Sequence, residues 1–568
     1  MAAHLATARP CDQIYETEFP VIEISEIKVS LKEGSTEQTA LAAGMREAAR
    51  LLSLAPADIA HNELHRTSID ARKKSDVHFT VSVRFGLRDG LDQAGVLARA
   101  DAKAARRIRI VDEDSPSYPA PLSKHARPAL RPVVVGAGCA GLFAALTLAE
   151  AGLEPLLIER GDNAADRTRA VEHFNATGEL DLESNIQFGL GGAGTFSDGK
   201  LTTGTKNPAH HLILQTLVDA GAPREILWEA KPHVGSDILP GVVTHMVARI
   251  RDLGGEVLFR TRLVDIDRGS SGQVEAVHVS HIGEDEERIA CSHLILACGH
   301  SARDVFELLD RRGFELARKT FAVGARIEHL QADIDRSQYG PAAGHPALGA
   351  APYKLVAHTK NGRSLFSFCM CPGGEVVAAA SEASGVVTNG ASLHARAGKN
   401  ANAALLVNVN PQDLPGDDVL AGIRLQRECE RMAYELGGGA YKAPAQLVGD
   451  FLCGIPSVRG GKVTPTYPRG VTWGSINMAL PQHVTETMRM GIPELARRLR
   501  GFDDEEAVLT GVETRSSSPI TVVRDRACHA QGAQGLYPCG EGAGYAGGIM
   551  SAATDGIRCA ESLIADLV

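Results

Sequence analysis

The chain of 568 residues has no C-x2-C pair among its 11 cysteines, which removes the usual framework of a structural zinc site. The odd cysteine count comes without secretory features, so reduced thiols in a cytoplasmic setting are expected. A basic surplus is missing as well. The net charge of -10 and a pI of about 6.1 argue against nucleic acid as a partner. Uninterrupted hydrophobic runs are also lacking. The longest candidate, Val133 to Leu153, is broken by four glycines and Glu150 and lies far from the first residue, so neither a membrane span nor a signal peptide is expected. What remains is a globular composition, with a mean hydropathy of -0.07. At roughly 150 residues per domain its length implies three or four units.

The first 112 residues read as a small α/β domain. VIEISEIKVSL (21 to 31) alternates like a strand, and Ser35 with Gln38 has the spacing of a capping box. The helix that follows is expected to bury Leu41, Met45, Ala48 and Leu52. HRTSID and DVHFTVSVRFGL read as two strands, Asp92 to Arg106 as a second helix and RIRIV as a last strand. The order β-α-β-β-α-β is ferredoxin-like. Residues 113 to 130, rich in Pro, Ser and charge, read as a linker.

RPVVVGAGCAGLFAALTLAEAGLEPLLIERG (131 to 161) carries a dinucleotide fingerprint in register: strand, glycine turn, helix, second strand and terminal acid. Gly136 permits the turn, Gly138 lets backbone approach a pyrophosphate, and Gly141 lets helix and strand pack closely. The amides around Cys139 and Ala140 open the helix, where free N–H groups and the macrodipole favour anions. Glu159 is placed to accept from a ribose, with Arg160 beside it, which suits FAD or NAD alike.

Later segments choose between the two. GGEVLFRTRLVDIDR (254 to 268), containing Val264, and QVEAVHVS (273 to 280) read as successive strands. The strand ending Ala297-Cys298-Gly299-His300 resembles the second landmark of flavoproteins of the glutathione-reductase type. GLYPCGEGAGYAGGIMSAATDGIRCAESL (535 to 563), with Gly540, Glu541, Gly547, Gly548 and Ile549, resembles their third. The fold class expected is therefore α/β: a Rossmann-like FAD-binding domain of glutathione-reductase type built from residues 131–230, 231–314 and 511–568. A mixed α+β substrate domain (315–510) is inserted into it, and the ferredoxin-like domain precedes it.

A second G-x-G-x-x-G, at Gly189, Gly191 and Gly194, fails the same test, because no apolar helix and no acidic strand end follow it. Gly191, Gly192, Ala193, Gly194, Thr195 and Ser197 are expected instead to press a loop against the cofactor, an ordinary mobile loop being the alternative. One dinucleotide domain means that any nicotinamide donor binds transiently.

The runs ESNIQFGLGGAGTFSDGKLTT, KPHVGSD, LILACGHSARD, VGARIEH, FSFCMCPGGEVVAAASE, ETRSSSP and YPCGEGAGYAGGIMSAATDGI, with SIDARKK near the start, resemble the signatures of a family of uncharacterised FAD-dependent dehydrogenases. The resemblance covers nearly the whole chain and implies an FAD domain, an inserted substrate domain and an N-terminal cap. It also implies an acid where Leu190 stands.

Three residues are candidates for chemistry: Lys200 as a donor to flavin N5 or a substrate acid, His300 as a base, and Arg515 as an anchor for a substrate carboxylate. Arg326 and Glu328 share a strand face and are expected to form an ion pair, with His329 on the other face. Glu513 and Arg515 share the same parity. Tyr467 and Trp473 either wall an apolar pocket or pack in a loop. Cys369 and Cys371, the one close cysteine pair, would share one face of a regular strand, with packing the expected role and redox chemistry the alternative. The leading function is an FAD-dependent dehydrogenase or oxidase acting on a small molecule, with no metal, nucleic acid or membrane. The alternatives are an NAD(P)H-dependent flavin reductase or ene-reductase, a flavin monooxygenase, and a non-catalytic FAD-binding scaffold.

Overall fold

The computed structural model describes residues 21–111, 116–123, 127–282 and 285–568. They fall into two compact units. The first holds residues 21–72 and 76–111, together with Trp228–Ala230, a segment expected in the nucleotide domain.

This unit runs β1 (Val21–Val29), α1 (Glu37–Leu52), β2 (Ile59–Asp70), β3 (His78–Leu87), α2 (Gln93–Leu97), α3 (Ala102–Ala105) and β4 (Ile108–Val111). Its sheet has the order β2-β3-β1-β4, antiparallel throughout, as the β-α-β-β-α-β reading requires. Three details differ. The cap of α1 is Thr36, whose side chain accepts from the Thr39 amide, one residue beyond the expected Ser35. The buried face of α1 is Ala40, Ala43, Gly44, Ala48 and Leu52, so Leu41 and Met45 stand at its border. The single helix expected over 92–106 is split, because the Asp101 side chain accepts from the Lys103 and Ala104 amides and starts a new turn there.

In the second unit, β5 (Val133–Val135) leads into α4 (Cys139–Glu150) and β6 (Leu156–Ile158). After β7 (Glu256–Leu258), the meander β8 (Thr261–Arg268), β9 (Val274–His281) and β10 (Glu286–Ala290) precedes β11 (Leu294–Leu296). A parallel five-stranded sheet runs from Leu536–Pro538 through β11, β5 and β6 to β7. Its strands VVV, LLI and LIL are apolar on both faces, as buried parallel strands are. The helix α4 is apolar all round because it is enclosed on every side. The closing helix Ile549–Asp566 comes so near that a Cβ on Gly556 would stand 2.1 Å from the Ala140 carbonyl oxygen. Residues 116–123, part of the expected linker, pack here: the Leu122 amide donates to the Ala151 carbonyl at 2.9 Å.

Residues 321–513 contain a seven-stranded sheet, in the order Val356–His358, Ser364–Cys371, Asn400–Val409, Phe321–Leu330, Val508–Glu513, Ala443–Leu447, Val471–Trp473. The expected boundary at 510/511 therefore lies inside one strand. Among the described residues, no helix is long and apolar enough to cross a membrane.

Candidate cofactor site and the buried charges beside it

The three glycines of the first turn divide their work. A Cβ at Gly136 (φ +99°) would stand 2.4 Å from the Ala297 carbonyl oxygen, and one at Gly141 only 1.8 Å from that of Gly136. Gly138 differs. Its φ of -73° suits any residue, and a Cβ there would meet nothing nearer than the Gly192 Cα at 3.9 Å. Neither backbone conformation nor protein packing demands glycine at this position, so the space in front of it is suited to something outside the chain. Gly138 is also the N-cap of α4 with no capping side chain, so the amides of the first turn, at Cys139 and Ala140, lack the usual partner. Gly547 has the same open surroundings, and Gly548 beside it caps the helix Ile549–Asp566 without a side chain. Gly299 (φ +74°) is open as well. Gly194 joins the two helix starts, its Cβ position lying 3.7 Å from Cys139 Sγ and 3.6 Å from Ile549 Cγ1. Gly540 lies against Ala140 and donates its amide to Asp555 at 2.7 Å. Two uncapped helix starts with open glycines fit a ligand carrying phosphates and a flat ring.

Glu159, expected to accept from a ribose, has backbone partners in the structure. It is 5% exposed, and its oxygens accept from the amides of Ala137 (2.8 Å), Gly161 (2.9 Å) and Gly189 (2.9 Å). It thus ties the glycine turn to the end of β6 and to the second glycine run. Arg160 lies over the Phe188 ring and pairs with Glu183 and Asp304, so its charge is engaged within the protein. Val264 sits at a bulge of β8, half-buried.

The second glycine run holds a short 3-10 turn, Gly192–Phe196, and no Rossmann helix. Its Gly191 amide donates to the Ala137 carbonyl at 2.8 Å, so this loop packs on the first glycine turn. Thr195 Oγ1 donates to the Leu190 carbonyl and Ser197 Oγ to that of Gly194, closing the loop on itself around Ala193. Arg167, a residue with no motif around it, holds the loop from within. Its fully buried guanidinium donates to the carbonyls of Asn185, Ile186, Gly189, Leu190 and Gly192. Leu190, where the resemblance implied an acid, is 1% exposed in the apolar core beneath.

His300 and Glu541 meet beside the open glycines, His300 Nε2 lying 4.0 Å from Glu541 Oε1. Burial, with Arg515 and Arg303 nearby, pushes the imidazole down to about 4. Burial raises the Glu541 carboxyl to about 7, Lys319 opposing it and Cys369 adding to it.

A buried charge cluster adjoins. Asp198 lies 2.8 Å from Lys200 Nζ, accepts from Arg396 Nε at 2.9 Å, and accepts from the Ser392 hydroxyl. Burial pulls the Lys200 ammonium down, but Cys371, Cys369 and Asp198 together leave it above its ordinary value and charged. Arg326, fully buried, donates to both oxygens of Glu513 (3.0 and 2.9 Å), to Asn402 Oδ1 and to the Cys369 carbonyl at 2.7 Å. Its expected partner Glu328 instead accepts from Asn400 and Thr466. The ion pair thus forms across neighbouring strands, not along one. His329 Nε2 is bonded to the Phe502 carbonyl on the other face.

Arg515 is not a free substrate anchor. Its guanidinium donates to both oxygens of Glu430 (3.0 and 2.7 Å), which also accept from Arg303 at 2.7 and 2.9 Å. Tyr467 donates to the Tyr441 carbonyl and Trp473 packs on a small apolar cluster, so both serve packing.

Residues 130–324 match the model of the pyridine nucleotide-disulphide oxidoreductases, residues 320–516 that of the C-terminal domain of FAD-dependent proteins, and residues 21–86 a domain of unknown function. A Clostridium beijerinckii protein, described as uncharacterized, is 44% identical over 517 residues, spanning 90% of this chain and 94% of its own. The chain belongs to that protein's family, a family of FAD-dependent oxidoreductases. Among solved structures, this FAD-dependent oxidoreductase is similar to the flavin-dependent brominase Bmp2, at 12% identity and a TM-score of 0.35 over 77% of this chain and 79% of the other. It is also similar to a geranylgeranyl bacteriochlorophyll reductase-like protein of Thermoplasma acidophilum, at 12% identity and a TM-score of 0.33 over 76% and 77%.

Proposed function

We propose that the FAD pyrophosphate rests on the amides that open α4 at Cys139 and Ala140, in a domain of glutathione-reductase type. The flavin then extends toward Gly547 and Gly548, and the enzyme takes a hydride from a small organic substrate as a dehydrogenase or oxidase. The observation that carries this reading is Gly138, a glycine in an ordinary conformation with open space before it, at an uncapped helix start. Bound flavin supplies a two-electron acceptor. The chain supplies placement and proton control. The α4 dipole favours the phosphates and that of the helix Ile549–Asp566 favours negative charge on the ring side. Lys200 stays charged and offers a donor, His300 stays neutral, and Glu541 exchanges its proton near neutral pH.

The match of residues 130–324 favours a second reading, in which NAD(P)H binds transiently and reduces the flavin. Anaerobic mixing separates the two. Bleaching of the flavin absorbance by members of a panel of alcohols, amines and hydroxy acids, with NADH and NADPH inert, is the expected result. Rapid bleaching by a nicotinamide with the panel inert overturns the hydride-from-substrate reading. With a working substrate, the bleaching rate is expected to rise with pH through about 7 as Glu541 loses its proton, and Glu541→Gln is expected to flatten that limb.

A further inference from the structure

The CMC segment ends the strand Ser364–Cys371 inside the buried charge cluster. In a regular strand, residues two apart are separated by about 6.6 Å with parallel side chains, too far for their sulfurs to meet. This strand is not regular. Its register against Asn400–Val409 slips between Phe368 and Cys371, and Cys369 takes a φ of +40°, a conformation rare for a side-chain-bearing residue. The kink turns the Cys371 thiol back on its neighbour, where it donates to the Cys369 carbonyl at 3.3 Å. Arg326 holds the kinked backbone by its bond to the Cys369 carbonyl and comes within 3.8 Å of Cys371 Sγ.

The charged groups around the pair come from several elements. Lys200 and Asp198 approach from the second glycine run, Arg326 from the strand Phe321–Leu330, Glu513 from the strand Val508–Glu513, and Glu541 from the last glycine turn. The neighbouring Cys371 draws the Cys369 thiol down to about 5 against the upward push of burial, with Lys200 and Arg326 helping. The influence of Cys369 and burial push Cys371 well above its ordinary value. A thiolate beside a protonated neighbouring thiol is the arrangement from which a dithiol is readily oxidised.

We propose that Cys369 and Cys371 are a redox couple of this enzyme, exchanging an electron pair with the flavin. In the oxidising direction the Cys371 S–H bond breaks, one S–S bond forms between it and the Cys369 thiolate, and the electron pair and that one proton pass to the oxidised flavin, which becomes the anionic dihydroflavin. The reverse step regenerates the thiolate and the thiol. The proposal rests on the reading that the flavin lies beside Glu541. The two cysteines stand outside the residues matching the disulphide-oxidoreductase model.

The test is an anaerobic dithionite titration of the FAD-loaded full chain after mild oxidation with diamide. Roughly four electrons per chain are expected, two for each two-electron couple, and roughly two for Cys369→Ser or Cys371→Ser. Alkylation and peptide mapping read the sulfurs directly in the unaltered chain. After diamide, Cys369 and Cys371 are expected to be joined and closed to iodoacetamide. After reduction both are expected to react, Cys369 already at mildly acidic pH. Two-electron uptake in all three proteins, with both sulfurs still alkylated after diamide, overturns the couple. The mapping needs no flavin, so failure of the couple is distinguishable from failure of the FAD site.

Discussion

Glu430→Ala lowers the stability of the folded chain by about 3–5 kcal/mol, the cost of leaving buried charge without its partner. Glu430 is 2% exposed and lies between the guanidinium groups of Arg303 and Arg515, which are themselves buried. It also accepts from the Thr514 hydroxyl. Removing the carboxylate leaves two buried cations with Glu382 as their remaining acid. Glu382, which pairs with Arg303 and Arg515 from one side, cannot serve both at bidentate geometry. The pH dependence has a definite sign. Burial pushes the Glu430 carboxyl up, but Arg303 and Arg515 outweigh it and hold the group below the carboxylate range. Its contribution is therefore complete above the unfolded value of about 4.3 and is lost as pH falls through the folded one. Glu430→Gln is expected to flatten the acid limb of a stability profile measured by urea denaturation.

Gly138→Ala and Gly141→Ala part company, though they stand three residues apart in one motif. A methyl at Gly138 enters open space in a conformation alanine adopts freely, so the thermal midpoint of the flavin-free chain is expected to hold. The same methyl occupies the place proposed for the pyrophosphate. FAD affinity is expected to fall by roughly tenfold to a hundredfold, about 1.4–2.7 kcal/mol. At Gly141 the methyl stands 1.8 Å from the Gly136 carbonyl oxygen, and the helix must leave the strand to admit it. A loss of about 3 kcal/mol in the fold itself is expected there. Flavin fluorescence titration and thermal melts of both variants check the pair. Equal losses in both measurements would remove the distinction drawn between the two glycines.

The chain's local grammar was legible. Three apolar triplets and their glycine turns gave the parallel sheet, because buried parallel strands need no alternation and the turn's steric demands are carried by its own residues. The N-terminal unit was legible from the alternation of its antiparallel strands, but not the cap at Thr36, where adjacent hydroxyl residues compete, nor the split at Asp101, whose side chain starts a new turn. What pairs with what across the fold was not. Arg326 finds Glu513, 187 residues away, rather than its strand-mate Glu328, and that choice is set by which strand lies alongside. Arg515 shares parity with Glu513 but lies beyond the strand's end, where Glu430 captures it. Glu159 has the expected position and a different set of partners, because Ala137, Gly161 and Gly189 converge on it only once the second glycine run has packed on the first. Arg167 had no sequence signal. It stands in a polar surface-like helix, and only the fold turns it inward onto five carbonyls. The kink at Cys369 was equally hidden, since strand parity alone put the sulfurs on one face but too far apart.

The chemistry proposed for this chain requires a flavin dinucleotide held at the start of α4. The most direct measurement is the visible spectrum of the full chain, taken with the cofactor released on acid precipitation and with a repeat on Gly138→Ala. A yellow protein that releases intact FAD in equimolar amount, and a variant that is folded but pale, is the result predicted. A colourless protein that refuses added FAD and binds only a nicotinamide coenzyme contradicts it.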